Sequence, residues 1–565
     1  MIDTVYRWCA SPSQNSLSQK IADRLELSPV LAQLLLNRKL NSLSAISDFL
    51  DPHQAPDSQF PNLWLDPICQ RIDTALSEKQ PIFVYGDYDV DGITSTAILV
   101  EALLALGADV TYYIPNRFTD GYGLTLDIIP KLVAAHTQLL ITLDCGITNV
   151  REIEAIRSET GADVIIMDHH SLPDPLPDAH AILNPKSLED GHPCSGLCTA
   201  GIVYQFLIYY NTTCQKGLDT DAFLDLVAMG TVADMAPLFA QNRKLTAQGL
   251  LRLSQRSRLG VRALLDVAEF KAPQVTARDI GFVIGPRINA AGRLDHALVC
   301  VELLITKDAA RATQIATSLN TLNLERRAIG QTILEDSVSL LDHEKETLPQ
   351  AIILANETWH KGVIGITASQ LVNRYAKPSI VIALKEGFGY GSARTSGSIN
   401  IHSVLKDSDH LFTKFGGHPE AAGFTIPAEN IEALRHGVLD FMAKTYTEKD
   451  LYPVLAIDCI LGCQEMTLSF AEELQQLAPF GQGNPEPLFY TDVLRAIDFK
   501  KVGDGSHLKM TLTNSDQSLV IDGIGFGLGH KLEYLYHPRI ELAFHLDVNE
   551  WQGRRRVQLN VIDIK

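Results

Sequence analysis

No run of apolar residues in this chain reaches membrane-spanning length. The longest candidate, residues 97–105, is interrupted by Glu101. The opening text Met1-Ile2-Asp3-Thr4-Val5-Tyr6-Arg7-Trp8 lacks the basic segment and apolar core of a secretory signal. Cysteine is sparse and without pattern: nine in 565 residues, an odd number. The pairs Cys194/Cys198 and Cys459/Cys463 lie far apart, with the wrong spacing for common zinc knuckles. All nine read as reduced, small core residues of a cytoplasmic protein. Net positive charge is missing as well. A formal −19 argues against a protein that coats nucleic acid non-specifically, but it leaves room for an enzyme that holds a strand in a local basic channel. Basic residues do cluster, at Arg252, Arg256, Arg258 and Arg262, at Arg326-Arg327, and at Arg554-Arg555-Arg556; each cluster alone is weak, since a charge run is usually a solvated face. There is no internal repeat and no low-complexity segment. What remains, 46% hydrophobic and 20% charged, describes a soluble globular protein long enough for three or four domains.

Residues 1 to about 50 read as helical, with a start at Ser28-Pro29, a restart at 41–44 and an end at Asp51-Pro52. The polar, proline-rich text 52–67 reads as a loop or arm. From about residue 80, strand-like runs at 81–85, 109–114, 139–143, 164–167 and 181–183 alternate with helical text such as 97–106 and 150–158, which implies parallel βαβ units. Residues 200–210 and 222–229 read as buried helices. The text 240–345 is largely helical, with 309–325 as a long helix bridging two lobes. A second α/β region starts at 351, carries a helix at 364–375 and a strand at 379–384, and runs to about 445. After Tyr452, short strands at 508–512, 519–525, 540–548 and 556–564, separated by turn text at 503–505 and 549–553, form the pattern of a small β-barrel. The expected division is a helical segment 1–55, an α/β catalytic domain 56–245, a helical connector 246–345 with an arginine-containing loop, a second α/β domain 346–445 and a β-barrel 446–565.

The chemistry concentrates at strand ends. Asp87, Asp89 and Asp91 alternate where an apolar strand gives way to a helix opening near Thr94, and alternation puts all three on one side while the backbone stays extended. Two like charges about 4 Å apart repel by roughly 4 kcal/mol at an effective dielectric near 20. The stretch is therefore either an acidic turn fanning into water or a divalent-metal site at the carboxyl end of a sheet strand. Asp144 closes another apolar strand, Asp168-His169-His170 a third, and Asp234 follows an apolar helix. Each alone is ambiguous, since an Asp after a strand is often just a helix cap. In a parallel sheet these strand ends share one edge, so Asp89, Asp91, Asp144 and His169 converge. Carboxylates with imidazoles suit Mn²⁺ or Mg²⁺, and the lack of thiolates argues against structural zinc. A set this large points to two ions roughly 3.5–4 Å apart, the apparatus for in-line attack of water on phosphorus. A second group lies in small-residue text: Arg287, Asn289 and Arg293 within 285–293, Arg394 after 389–393, and His418 in a glycine-rich turn at 416–423. Small residues admit a phosphate to the backbone and a guanidinium meets it as a fork; the plainer alternative is turn punctuation and surface arginine.

Taken in order, Asp89-x-Asp91-Gly92, Asp144-Cys145-Gly146, Asp168-His169-His170 and Asp234 resemble the DHH phosphoesterase superfamily. With 114–117, 120–124, 285–293 and 416–423 added, the chain from about 50 to 565 resembles its RecJ family of single-strand-specific 5′→3′ DNA exonucleases. The resemblance implies an α/β fold: a two-lobed core of a DHH parallel-sheet domain and a DHH-associated α/β domain, joined by long helices with a cleft between, then a C-terminal OB-like barrel. It implies Asp89 and Asp144 on one metal, and Asp91, Asp144, His169 and Asp234 on the other. His170 would face the scissile phosphate or the attacking water, and Asp168 would orient the imidazoles. Arg287, Asn289, Arg293, Arg394 and His418 would hold phosphates, with Arg394 and the 416–418 turn as candidates for a 5′-phosphate pocket. Asp87 then shapes the loop or stands behind the ligands.

There are two departures. Many members carry a histidine four positions before the first metal-binding aspartate, where this chain has Tyr85, which leaves one ion with fewer protein ligands. Pro419-Glu420 puts a carboxylate near a proposed phosphate site. In the barrel, Phe489, Tyr490, Phe526 and Trp551 are either base-stacking platforms or core. The implied activity is stepwise hydrolysis of single-stranded DNA from the 5′ end in DNA repair and recombination. The protein would use Mn²⁺ or Mg²⁺ and act as a monomer beside a helicase and a single-strand-binding protein. Two alternatives stand: a hydrolase of short oligonucleotides or cyclic dinucleotides, and a non-catalytic replication scaffold, the second weakened by the presence of every metal residue.

Overall fold

The computed structural model describes residues 6–52, 60–117, 120, 123–343, 348–551 and 553–565. The chain divides into two compact units, one of Met1–Leu43, Arg326–Gln476 and Glu486–Lys565, the other of Ser44–Glu325 and Leu477–Pro485.

The N-terminal text is not all helical. Strand β1 (Arg7–Ala10) precedes the helices Asn15–Leu25 and Pro29–Asn37 and pairs in parallel with Val454–Ile457. Four residues are too few to display a period, and the partner that makes them a strand lies far along the chain. Ser28 does start a helix, its side chain accepting from the Leu31 amide. The arm expected over 52–67 is helical from Asn62: the helix Asn62–Ser77 carries Pro67 inside it and is held by the buried face of Leu65, Ile68, Ile72 and Ala75. Residues 53–59 of that arm lie outside the described residues.

The second unit is built on a five-stranded parallel sheet: β2 (Ile82–Gly86), β3 (Val110–Tyr113), β4 (Leu139–Leu143), β5 (Asp163–Met167) and β6 (Ala181–Leu183), in the order β3-β2-β4-β5-β6. Strands β2 and β4 are buried throughout, because helices cover both faces, and this is why they read as unbroken apolar runs. Val84, Ile141 and Ile165 pack with the helices Val90–Ala105, Thr199–Cys214 and Leu224–Ala233. Phe83, Tyr85, Leu140 and Ile166 pack on the other side with Leu132, Ile153 and Ile156. Gly86, Leu143 and Met167 stand in one register row, so the next residues, Asp87, Asp144 and Asp168, leave the sheet along one edge. The order reverses beside β2, the switch point where open α/β sheets place ligands.

The text 285–293 is a helix, Gly285–Leu294, preceded by a π-helical turn Ile280–Ile284, and not the expected loop. Its small residues serve close packing instead: a Cβ on Gly292 would stand 2.9 Å from the Tyr88 carbonyl oxygen. The helix expected over 309–325 runs as Ala309–His343, through the boundary between the units.

In the first unit, β7 (Ile352–Asn356), β8 (Ser379–Lys385), β9 (Phe388–Arg394), β10 (Lys414–His418) and β11 (Ala421–Pro427) form a sheet in the order β10-β11-β9-β8-β7. The glycine-rich text around His418 is thus strand, and the turn is Pro419-Glu420. Gly417, at φ 151°, lies where a Cβ would meet the Ala421 carbonyl oxygen at 2.5 Å, so only glycine fits the hairpin there. Strand β12 (Val454–Ile457) is the partner of β1, and β13 (Cys459–Ile460) lies on β14 (Phe489–Val502). Strands β14, β15 (His507–Asn514), β16 (Val520–Gly525), β18 (Arg554–Ile564) and β17 (Ile540–Trp551) close into a five-stranded barrel through the β14–β17 pairing. All nine cysteines are free, but the expectation that all are core fails for four: Cys9 is exposed, and Cys214, Cys459 and Cys463 are half-buried. Among the described residues no helix is long and apolar enough to cross a membrane.

Candidate metal centre and phosphate-binding groups

After β2 the backbone does not stay extended through Asp91, as alternation required. Asp89 caps the helix Val90–Ala105, its Oδ1 accepting from the Asp91 amide at 2.9 Å and the Gly92 amide at 3.1 Å. Asp91 sits in the first turn, where both its oxygens accept: Oδ2 from the Thr199 amide at 2.7 Å, Oδ1 from the Ala200 amide at 2.9 Å. Asp144 follows β4 at φ 62°, a left-handed conformation that strains a residue with a Cβ by about 1–2 kcal/mol. Its Oδ1 accepts from the Thr199 hydroxyl at 3.1 Å and lies 3.2 Å from His169 Nε2. His169 Nδ1 lies 3.7 Å from Asp234 Oδ2, and Asp234 ends the helix Leu224–Ala233. Asp168 accepts from the Ile147 amide through Oδ2. Its Oδ1 accepts from the His170 amide and stands 2.7 Å from His170 Nδ1. It therefore holds one imidazole, His170, rather than both.

Among the described residues, three groups bring their ligand atoms within 4.8 Å of one another: Asp87, Asp89 and Asp144; Asp91, His169 and Asp234; Asp144, His169 and His170. Asp87, which the resemblance set behind the ligands, is in the first group. It is 3% exposed and its Oδ1 is buried without a hydrogen-bond partner among the described residues. An orphaned carboxylate oxygen facing other carboxylates is a poor arrangement without a cation, and the donors are all oxygen and imidazole nitrogen, so the residues fit Mn²⁺ or Mg²⁺. Burial, reinforced by Asp89, pushes Asp87 up to about 8. Burial and the Asp91 charge do the same to Asp234, also to about 8, and Asp91 and Asp144 are raised by burial too. Burial opposes charge on His170, but the hydrogen bond and charge of Asp168 outweigh it and lift the imidazole to about 9. Burial likewise opposes charge on Asp168, and the bond to His170 nevertheless keeps it below the usual carboxylate range. His169 is lowered, chiefly by burial. The nearby Cys198 thiol is raised well above its ordinary value by burial, a neutral neighbour rather than a ligand.

Tyr85 is turned away: it is buried, and its hydroxyl donates to the Gly123 carbonyl at 3.0 Å. The helix bearing Arg287, Asn289 and Arg293 packs its Gly292 against Tyr88, inside the acidic loop, and Arg117 lies over the Tyr88 ring at 5.4 Å. Arg287 donates to Asn320 Oδ1 at 3.1 Å and to the Val283 carbonyl at 2.7 Å. Arg394 and His418 belong to the other unit, at the ends of β9 and β10. Ala421 pairs with both, so they stand in one cross-strand row, about 10 Å apart at the usual strand spacing. Arg394 donates to Ser392 Oγ at 3.0 Å, and a Cβ on Gly365, in the first turn of the helix Ile364–Tyr375, would be 3.1 Å from its guanidinium. Glu420 is exposed in the turn. Of the barrel aromatics, Phe489 is fully buried core, Tyr490 packs against Trp8, and Phe526 is 63% exposed; the side chain of Trp551 lies outside the described residues. Thr199 carried no signal in the sequence, being one hydroxyl in an apolar helix.

A parallel sheet whose edge carries Asp168-His169-His170 beside three other acidic strand and helix ends is the arrangement of the DHH class. The chain matches the model of the DHH family N-terminal domain over 81–231, the DHHA1 domain over 348–444 and the RecJ OB domain over 457–563. It is 33% identical to the single-stranded-DNA-specific exonuclease RecJ of Bacillus subtilis, over all of this chain and 71% of that one. It is 34% identical to the Escherichia coli enzyme of the same name, over 95% and 96%. The solved structure of RecJ in complex with Mn²⁺ from Thermus thermophilus superposes with a TM-score of 0.85 at 30% identity, covering 100% of this chain and 80% of that one. The chain belongs to the RecJ family.

Proposed function

We propose that this protein hydrolyses single-stranded DNA stepwise from the 5′ end, using Mn²⁺ or Mg²⁺, in DNA repair and recombination. The observation that carries the reading is the convergence of Asp87, Asp89, Asp91, Asp144, His169 and Asp234 at one sheet edge, with a buried carboxylate oxygen left unpartnered. Asp87, Asp89 and Asp144 would hold one ion; Asp91, Asp144, His169 and Asp234 the other. Bound there, the ions would polarise the phosphodiester and activate water for in-line attack.

The chain's own residues supply the rest. Asp168 holds His170 through Nδ1, and its hydrogen bond and charge lift that imidazole to about 9. His170 can stabilise charge on a phosphoryl oxygen or give a proton to the leaving oxygen. Arg287, Asn289 and Arg293 would hold phosphates beside the acidic loop. Arg394, braced by Ser392 near the start of a helix, would take the 5′ phosphate, with His418 in the same row. On the barrel, Lys509, Arg554 and Arg556 line a cavity of about 510 Å³ with Asp522, Asn549 and Gln558; among the described residues none of the three cations is in an ion pair. This face suits a strand's phosphates, and Phe526, exposed just after β16 of the same barrel, suits its bases. The five-part division of the chain, monomeric action beside a helicase and a single-strand-binding protein, and a cytoplasmic location belong to the same reading.

The test is product release with Mn²⁺ from a long single strand, the same sequence as duplex, and a dinucleotide. The long single strand should be degraded fastest and Asp144→Ala should abolish it. Preference for the dinucleotide would favour the short-oligonucleotide alternative.

A further inference from the structure

We propose that Thr199 is the positioning residue that couples the two halves of the metal centre, and that its hydroxyl sets the centre's affinity; this rests on the metal reading above. The helix Thr199–Cys214 begins at Thr199, after Cys198 in extended conformation. The first amides of a helix have no partner within it. Here two of them are spent on one side chain, Thr199 N–H on Asp91 Oδ2 at 2.7 Å and Ala200 N–H on Asp91 Oδ1 at 2.9 Å. The Thr199 hydroxyl turns the other way, to Asp144 Oδ1 at 3.1 Å, the oxygen that also faces His169 Nε2 at 3.2 Å. One residue thus donates to a carboxylate of each ligand group. Asp91 rides on the helix after β2 and Asp144 leaves β4; Thr199 is the tie between them.

The tie has little slack. Thr199 is fully buried and Asp144 is 2% exposed, so neither has water as a substitute partner. Asp91 is also hemmed in from behind, since a Cβ on Gly230 would stand 2.7 Å from its Oδ1 and 2.8 Å from the Ala200 Cβ. With both Asp91 oxygens fixed and one lone pair of Asp144 Oδ1 occupied, the directions left open to a cation are set before it arrives. Outer hydrogen bonds of this kind orient metal ligands. The residue type matters: serine keeps the hydroxyl, valine keeps the shape without it, and proline at this first helical position keeps the helix start while removing both the hydroxyl and the N–H.

The test is calorimetric titration of metal-free protein with Mn²⁺, for the wild type, Thr199→Ser, Thr199→Val, Thr199→Pro and Asp144→Asn, with circular dichroism of each metal-free protein alongside. Thr199→Ser should bind within about twofold of the wild type, Thr199→Val at least about tenfold more weakly, and Thr199→Pro more weakly still. Wild-type affinity in Thr199→Val overturns the proposal. So does a Thr199→Ser as weak as Thr199→Val, since affinity would then be lost although the hydroxyl is kept. If Thr199→Val does not fold, the same contrast is read between Thr199→Ser and Thr199→Ala. Asp144→Asn separates the two levels. If it loses Mn²⁺ while Thr199→Val does not, only the role of Thr199 falls; if it keeps wild-type binding, the metal reading itself falls.

Discussion

At the scale of single residues, Asp87 bears the sharpest consequence. Its Oδ1 is buried, without a hydrogen-bond partner among the described residues, and Asp87 is grouped with Asp89 and Asp144. Asp87→Asn should weaken Mn²⁺ binding at least about tenfold in titrations of activity and of heat; an unchanged affinity would return Asp87 to a loop-shaping role. Tyr85 behaves differently. Because its hydroxyl is spent on Gly123, Tyr85→Phe should leave Mn²⁺ affinity intact and lower stability by about 1 kcal/mol, seen as a lower Tm. The titrating groups set a pH dependence. Asp87 and Asp234 have folded pKa values near 8 against roughly 3.9 unfolded, so the folded chain holds more protons across that window, and rising pH works against folding through about 8. His170 acts in the same sense: raised from about 6.5 to about 9, its contribution is whole below 6.5 and is lost as pH rises through 9. Without a divalent cation, Tm should therefore fall from neutral pH to about 9, and saturating Mn²⁺ should flatten the fall, since the ion displaces those protons. A cation-free Tm that rises over this interval would contradict the assignment.

At the scale of elements, helix packing and the site are one problem. Gly230, on the helix Leu224–Ala233, leaves room for Asp91, Thr94 and Ala200, and a Cβ there would stand within 2.8 Å of all three. Gly230→Ala should cost about 1–3 kcal/mol in denaturant unfolding and most of the Mn²⁺-dependent activity. The parallel strands were legible because sheets covered on both faces require unbroken apolar runs, and their ends then had to share an edge. What escaped depended on partners distant in the chain or on broken patterns. Strand β1 exists through its pairing with β12. Strand β14 carries Asp492, Arg495, Asp498, Lys500 and Lys501 and a register shift between Ala496 and Asp498, so its alternation is interrupted. The Gly285–Leu294 text has a loop's composition, rich in glycine and alanine, but Gly292 serves a backbone contact with Tyr88. Asp89 and Asp91 could be read as candidate ligands by type, and the resemblance already set them on different ions; the grouping of Asp87 with Asp89 and Asp144 could not be read, because helix capping at Asp89 replaces the extended backbone that alternation assumed.

At the scale of the whole molecule, a chain of net charge −19 binds a polyanion through local cations. On the barrel, Lys509, Arg554 and Arg556 line one cavity while Arg555 pairs with Glu472, and these three cations are the proposed contacts to the strand. Replacing all three by alanine should raise KM for long single strands and reduce the salt dependence of binding by about one unit of slope per cation, with little change on oligonucleotides too short to reach the barrel. An equal loss on short and long substrates would assign these residues to the fold rather than to the strand. Of this organisation, the succession of a parallel α/β region, a second α/β region and a barrel could be read from the sequence, and the three family models match in that order. The barrel face could not, because it is assembled from residues on four strands. The central claim is that the acidic edge holds the cations for hydrolysis from the 5′ end. It is tested most directly by degrading one long single strand, labelled at its 5′ or its 3′ terminus, with Mn²⁺ titrated in. Mn²⁺-dependent release of the 5′ label as mononucleotide is expected while the 3′ label stays on shortening strands, and neither with Asp144→Ala. Early release of the 3′ label, or full activity without a divalent cation, would contradict it.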